Sequence, residues 1–150
     1  MDKRLDYAAV APAGNRAMLA LYPYLQTCGL ESGLLHLVWL RVSQINGCAY
    51  CVDMHWRDAL KDGDSERRLN SVVTWHEAPF FSARERAAFA WAETLTRIVE
   101  TRASDDDYAA VKAVFTDKEL ADLSFAIAMM NALNRLAIGF RKTPPLEVPS

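Results

Sequence analysis

The feature that most constrains this chain is a turn followed directly by two cysteines and a histidine. Asn46-Gly47 is a dipeptide typical of turns, and residues 48–55 read C-x-x-C-x-x-x-H. Apolar, helix-like sequence stands on both sides of the turn. We therefore expect the cysteines to open a helix, and we expect the turn to fold residues 31–62 into an antiparallel helical hairpin.

This placement predicts reactive thiols. Unpaired backbone N–H groups and the helix dipole favour an anion at the start of a helix, and a thiol held there carries more thiolate. Cys48 and Cys51 are three residues apart and Cys51 and His55 are four apart, so all three share one helix face. An imidazole one turn along can take a thiol proton at neutral pH.

A second histidine, His36, lies inside the apolar helix predicted over residues 31–45. In a straight chain it would stand about 18 Å from Cys48 at 1.5 Å per residue. A hinge at Asn46-Gly47 instead brings residue 36 level with residues 54–58. We expect His36 to meet His55 and to extend a proton relay, although a lone histidine in an apolar helix is more often a packing residue.

Composition limits the class of protein. With 150 residues, 51% of them hydrophobic, the chain is expected to form a single domain, with its core over residues 31–140, a loosely ordered arm at 1–11 and an irregular tail at 141–150. A net charge of −2 does not favour nucleic acid as a partner. We find no signal peptide and no run long enough to span a membrane. Three cysteines do not suit a secreted disulfide framework, so a cytoplasmic location is expected.

Helical periodicity predicts an all-α fold. Capping boxes at Ser82–Glu85 and Thr116–Glu119 open two long helices. The predicted helices cover residues from about 12 to 28, 31 to 45, 48 to 62, 65 to 75, 83 to 100, 105 to 115 and 117 to 140. In the last helix, Asn131 and Asn134 fit a hydrogen-bonded, semi-buried stripe and a solvated face equally well. Cys28 is expected to be a packing residue. His76 is expected to be a solvated residue at a helix end.

The segment Leu40–His55 closely resembles the signature of the alkylhydroperoxidase D-like (AhpD-like) proteins, which belong to the carboxymuconolactone decarboxylase superfamily. Segments 77–82, 84–88, 90–93 and 134–138 resemble its peroxidase-related branch, so the resemblance covers about residues 31–140. It implies an AhpD-like helical bundle with the C-x-x-C motif at a helix N-terminus, assembled as a homo-oligomer of three or six chains.

The resemblance also implies a thiol peroxidase. Cys51 would meet the peroxide, Cys48 would resolve the resulting sulfenic acid, and His55 would take part in a proton relay. The best-known members carry a glutamate twelve residues before the first cysteine, and this chain has His36 there. That departure changes the charge of the site, so the rate, the pH optimum and the substrate are open.

The expected substrate is an organic hydroperoxide or hydrogen peroxide. No bound cofactor is expected, because the working group is a redox-active disulfide that an external dithiol reduces. A lipoyl-type or a thioredoxin-type protein would serve as that dithiol. Tyr50, Trp56 and Trp75 are candidates for the substrate pocket, although core packing explains these aromatic residues equally well.

Three alternatives remain at this point. Lactone decarboxylation occurs in the same superfamily, but it needs no dithiol. A zinc-bound interaction module could use Cys48, Cys51, His55 and His36 as a Cys₂His₂ set, although we expect no metal. The cysteines could also be a purely structural buried pair.

Overall fold

Helices form all the regular secondary structure of residues 2–146, the part of the chain that the computed structural model describes. In chain order they are α1 (Tyr7–Val10), α2 (Pro12–Leu19), α3 (Leu21–Leu25), α4 (Ser32–Asn46), α5 (Ala49–Lys61), α6 (Glu66–Ser71) with a 3₁₀ turn at Val72–Thr74, α7 (Ala83–Thr96), α8 (Ile98–Thr101), α9 (Asp105–Lys112) and α10 (Asp117–Gly139). The prediction of an all-α fold is confirmed.

The turn between α4 and α5 depends on a glycine. Gly47 ends α4 with φ +70°, a left-handed conformation that costs glycine little. The backbone N–H of Cys48 then reaches back to the carbonyl of Ser43 at 2.9 Å. This geometry reverses the chain, and α5 packs against α4 as the predicted hairpin.

Helix α4 is the central element of the bundle. It packs against α5, α7 and α10, and ten consecutive residues, 34–43, are buried. The run includes Trp39, which is fully buried and donates its indole N–H to the carbonyl of Ala126 in α10 at 3.2 Å. A helix buried on most sides is what its near-continuous apolar sequence predicts.

Both predicted capping boxes form, but the helix after Ser82 is shorter than its pattern suggests. Helix α7 ends at Thr96 because Arg97 leaves the helical region at ψ 35°, and α8 follows as a single turn. The hydroxyl of Thr101 donates to the carbonyl of Thr94 at 2.8 Å, so one carbonyl at the end of α7 gains a partner. The prediction of one helix over 83–100 is wrong in this respect.

The N-terminal arm is more ordered than expected. Asp6 caps the turn α1, the backbone N–H of Arg4 donates to the carbonyl of Phe140 at 3.1 Å, and the ring of Tyr7 lies 5.4 Å from that of Phe140. The arm therefore lies across the C-terminal end of α10. Its partners are more than 130 residues away along the chain, so no local pattern predicts the contact.

The tail predicted at residues 141–150 contains no helix over residues 141–146, and residues 147–150 lie outside the described range. The backbone N–H of Lys142 donates to the carbonyl of Ala137 at 2.8 Å, which holds the start of the tail against α10. Across residues 2–146, every helix is too short or too polar to cross a membrane.

Candidate active site

The two cysteines of the C-x-x-C motif lie side by side at the start of α5. Cys48 is the N-cap residue and Cys51 lies in the first turn. Their Sγ atoms are 3.0 Å apart, and the two residues are 1% and 3% exposed. Since the S–S bond of a disulfide is about 2.05 Å long, the pair is a reduced dithiol in hydrogen-bond contact. The two sulfurs need to move only a short distance to form a disulfide.

This contact separates the acidities of the two thiols. Hydrogen bonding with Cys51 lowers the pKa of the Cys48 thiol to about 7, although burial acts in the opposite direction. The contact with Cys48, together with burial, raises the pKa of Cys51. One of the two protons is therefore lost near neutral pH, and the other is shared by two sulfurs in close contact, as in other coupled pairs.

His55 lies one turn beyond Cys51 and is fully buried. Within residues 2–146 neither of its ring nitrogens has a hydrogen-bond partner. Burial, with a smaller contribution from His36, lowers the pKa of His55 to about 3. The ring is therefore neutral at physiological pH, with a free lone pair and a free N–H in the core.

The predicted meeting of the two histidines is confirmed. The ring centroids of His36 and His55 are 6.2 Å apart, and Trp39 contacts both rings, with centroid distances of 5.7 and 5.2 Å. On its other side, Nε2 of His36 lies 3.8 Å from a carboxylate oxygen of Asp62. Asp62 accepts a 2.5 Å hydrogen bond from Ser32 and lines a surface groove of about 490 Å³. His36 therefore lies between His55 and the carboxylate of Asp62, although no hydrogen bond joins the two rings within residues 2–146.

A network of amides holds the turn that carries the cysteines. The side-chain N–H₂ of Asn46 donates to Asn131 at 3.0 Å and to Asn134 at 2.9 Å, and Asn134 donates to the hydroxyl of Ser43 at 3.1 Å. Asn134 is fully buried, and its amide also favours the thiolate form of Cys48. The buried alternative for the two asparagines of α10 is thus the correct one.

A cavity of about 270 Å³ lies beside Cys51. Its walls come from α1, α2, α5, α10 and the tail: Tyr7, Ala8, Asn15, Leu19, Tyr50, Cys51, Met54, Met130, Leu133, Ala137 and Lys142. Cys48 is not among these residues. Of the two sulfurs, Cys51 is therefore the one placed to meet a molecule in the cavity.

The structure brings one of the three predicted pocket aromatics to this cavity. Tyr50 lines it, whereas Trp56 and Trp75 belong to a separate core cluster with Leu37 and Phe89. The Trp75 indole donates to Glu93 at 2.7 Å, and Glu93 also accepts from Arg41. The core-packing interpretation holds for these two tryptophans, because both pack in this cluster and neither lines the cavity beside Cys51.

The other chemically notable residues lie apart from this site. Cys28 is half-buried against the core and donates its S–H to the carbonyl of Leu25, and the side chain of His76 is 63% exposed. Within residues 2–146, no three His, Cys, Asp or Glu side chains converge in a way that could hold a metal ion. The proposed Cys₂His₂ zinc set is therefore not assembled in this arrangement.

Fold and site together define an AhpD-like protein: an all-helical bundle with a C-x-x-C pair at the start of a helix that buries one face. The chain belongs to the carboxymuconolactone decarboxylase family, whose sequence model matches residues 9–94. The uncharacterized protein YdfG of Bacillus subtilis (strain 168) is 35% identical over 138 residues, which cover 92% of this chain and 94% of that protein.

Solved structures agree with this assignment. A protein of unknown function from Agrobacterium tumefaciens, suggested to be the antioxidant defence protein AhpD, is 42% identical, with a TM-score of 0.94 over 97% of this chain and 100% of that one. A peroxidase-related protein with an alkylhydroperoxidase AhpD core from Ralstonia eutropha JMP134 is 24% identical, with a TM-score of 0.82 over 95% of this chain and 80% of that one. The latter shares the fold.

Proposed function

We propose that this protein is a thiol-dependent hydroperoxide reductase. The observation that carries the proposal is the contact of 3.0 Å between the sulfurs of Cys48 and Cys51, beside a cavity that, of these two cysteines, only Cys51 lines. A reduced pair at this distance can give two electrons to a peroxide and become one disulfide. Membership of the family and the resemblance to an AhpD-type protein support the same class of enzyme.

The first step takes place at Cys51. In the singly ionised pair, the remaining proton moves to Cys48, and the Cys51 thiolate attacks the terminal oxygen of ROOH. The S–O bond forms as the O–O bond breaks, so Cys51 becomes a sulfenic acid and RO⁻ departs. The alkoxide takes the proton from Cys48 and leaves as ROH.

The second step closes the disulfide. The Cys48 thiolate attacks the sulfenic sulfur of Cys51, an S–S bond forms, and hydroxide leaves and becomes water on gaining a proton. Because the sulfurs start in contact, this step needs only a small local movement. An external dithiol, such as a lipoyl- or thioredoxin-type protein, then reduces the disulfide by exchange and becomes oxidised itself.

The histidines have a role in moving protons. The neutral ring of His55 can accept a proton on one nitrogen and release one from the other. His36 lies next in line, and Asp62 beyond it is partly exposed. We assign this path to the exchange of protons between the dithiol and the solvent, which each cycle requires.

The proposal is tested by following organic hydroperoxide consumption with a dithiol in excess. Wild-type protein and Cys28→Ser should turn over at similar rates, because Cys28 lies outside the site. Cys51→Ser should lose turnover. With no dithiol present, Cys48→Ser should consume about one peroxide per chain and stop as a sulfenic acid, which dimedone labels. Normal turnover by Cys51→Ser would exclude this mechanism.

A further inference from the structure

The cavity beside Cys51 has an unusual composition. Its walls are mainly apolar, with Leu19, Met54, Met130 and Leu133 among them, yet Lys142 also lines it. None of the residues that line the cavity is acidic, and within residues 2–146 Lys142 forms no ion pair. The ammonium group of Lys142 instead contacts the ring of Tyr50, with Nζ 4.0 Å from the ring centroid.

Lys142 is a cation in this position. Burial alone would lower the pKa of its ammonium group, but the hydrogen-bonding and electrostatic contributions of Tyr50, with smaller ones from Tyr7 and Cys51, together outweigh burial and raise it. A partly desolvated charge in apolar surroundings is costly unless an opposite charge accompanies it. Of the residues that line the cavity, Cys51 is the one that the mechanism makes an anion, and it loses that charge when it reacts with the peroxide. The cavity therefore favours a ligand that has an apolar body and brings one negative charge.

We propose that this cavity selects an organic hydroperoxide that carries a carboxylate, with Lys142 binding the carboxylate while the peroxide group meets Cys51. This inference rests on the proposed function and specifies its substrate class. A volume of about 270 Å³ holds roughly nine waters at about 30 Å³ each. The substrate is thus a small organic acid hydroperoxide with on the order of ten non-hydrogen atoms.

A matched pair of substrates separates this role from a general effect on the thiol. 4-Hydroperoxy-4-methylpentanoate and 2-hydroperoxy-2-methylpentane differ only in that a carboxylate replaces a terminal methyl group. We expect wild-type kcat/KM to be at least about tenfold higher for the carboxylate. In Lys142→Met the ratio should fall to about one, and Lys142→Arg should retain much of the preference because it keeps the charge.

Lys61→Met is the control, because this lysine is exposed at the end of α5 and should leave the ratio unchanged. Circular dichroism spectra of all variants check that they fold. A wild-type ratio near one overturns the inference. An equal loss of kcat/KM for both substrates in Lys142→Met also overturns it, since the lysine would then act on the Cys51 thiolate rather than on the substrate.

A binding measurement keeps the inference distinct from the proposed function. The two corresponding alcohols cannot react, and calorimetry can measure their dissociation constants. Tighter binding of 4-hydroxy-4-methylpentanoate than of 2-methylpentan-2-ol, lost in Lys142→Met, supports the anion site even if neither peroxide is consumed. Absence of peroxide consumption would contradict the proposed function, whereas equal binding of the two alcohols would contradict the role of Lys142.

Discussion

The ring centroids of His36 and His55 lie 6.2 Å apart across the α4–α5 hairpin. His36 occupies the position at which the resemblance predicts a glutamate. A carboxylate there would place a negative charge beside the buried imidazole and favour its protonated form. His36 brings no negative charge, and burial, with a smaller contribution from His36, holds the pKa of His55 at about 3.

His36→Glu should therefore raise the pKa of His55 toward neutrality, because an anion would stabilise the imidazolium. NMR titration of the His55 ring measures the shift directly. The pH profile of peroxide consumption should change with it. His76→Glu, in an exposed turn outside the hairpin, is the matched control and should leave the pKa of His55 unchanged. An unchanged His55 titration in His36→Glu would mean that the two rings are not electrostatically coupled.

Burial of neutral His55 predicts a loss of stability in acid. Its pKa falls from 6.5 to about 3 on folding, so below pH 6.5 the unfolded chain binds a proton that the folded chain excludes. This contribution is fully present above pH 6.5 and is lost as the pH falls toward 3, by up to about 1.4 kcal/mol per pH unit.

Urea unfolding at pH 7.0 and at pH 4.5 measures this effect. His55→Gln cannot titrate in either state, so its free energy of unfolding should fall less between the two pH values than that of the wild type. The same substitution at exposed His76 serves as the control. Equal falls in the wild type and His55→Gln would contradict the assignment of a buried neutral ring.

The amide network at the hairpin should contribute to both stability and thiol acidity. Asn134→Ala removes partners of Asn46 and Ser43, and buried polar groups left unpaired cost about 1–3 kcal/mol. The pKa of Cys48 should also rise, because this amide favours its thiolate. Urea unfolding and pH-dependent alkylation measure the two effects. Asn70→Ala, at an exposed position, is the control. A role for the network would be contradicted if Asn134→Ala and Asn70→Ala had the same free energy of unfolding and the same pKa of Cys48.

Two glycines at opposite ends of α4 offer substitutions with opposite expected signs. Gly47 has φ +70° and open space where a Cβ would lie, so Gly47→Ala should cost about 1–2 kcal/mol through backbone strain alone. Gly33 lies inside α4, also with open space, and Gly33→Ala should be neutral or stabilising by up to about 1 kcal/mol. Thermal or urea unfolding of the two variants measures their free energies of unfolding. Equal changes in Gly47→Ala and Gly33→Ala would contradict the left-handed conformation of Gly47.

Local sequence signals predicted much of this molecule. The glycine turn, the capping boxes and the helical periodicity are short-range features, and they place Cys48, Cys51, His55 and His36 on the correct helices. The spacing of the hairpin was enough to predict that the two histidines meet. These predictions succeed because each depends on contacts within about twenty residues.

The other parts of the site come from distant segments. Lys142 and Tyr7 reach the cavity from opposite ends of the chain, and Asp62 reaches His36 from the far end of α5. No local sequence pattern indicates that a lysine in a proline-rich tail lines a cavity. Trp56 and Trp75 were candidates for the pocket because they are aromatic residues near the motif. Proximity in sequence does not determine whether a side chain faces the cavity or another part of the core.

The central claim is that peroxide converts Cys48 and Cys51 into a disulfide. We would count reactive thiols in the unfolded protein before and after one equivalent of an organic hydroperoxide, starting from the reduced chain with its three cysteines. The account predicts a fall from three thiols to one, which a dithiol restores to three, and a fall from two to none in Cys28→Ser. A count that stays at three after exposure to peroxide would contradict it.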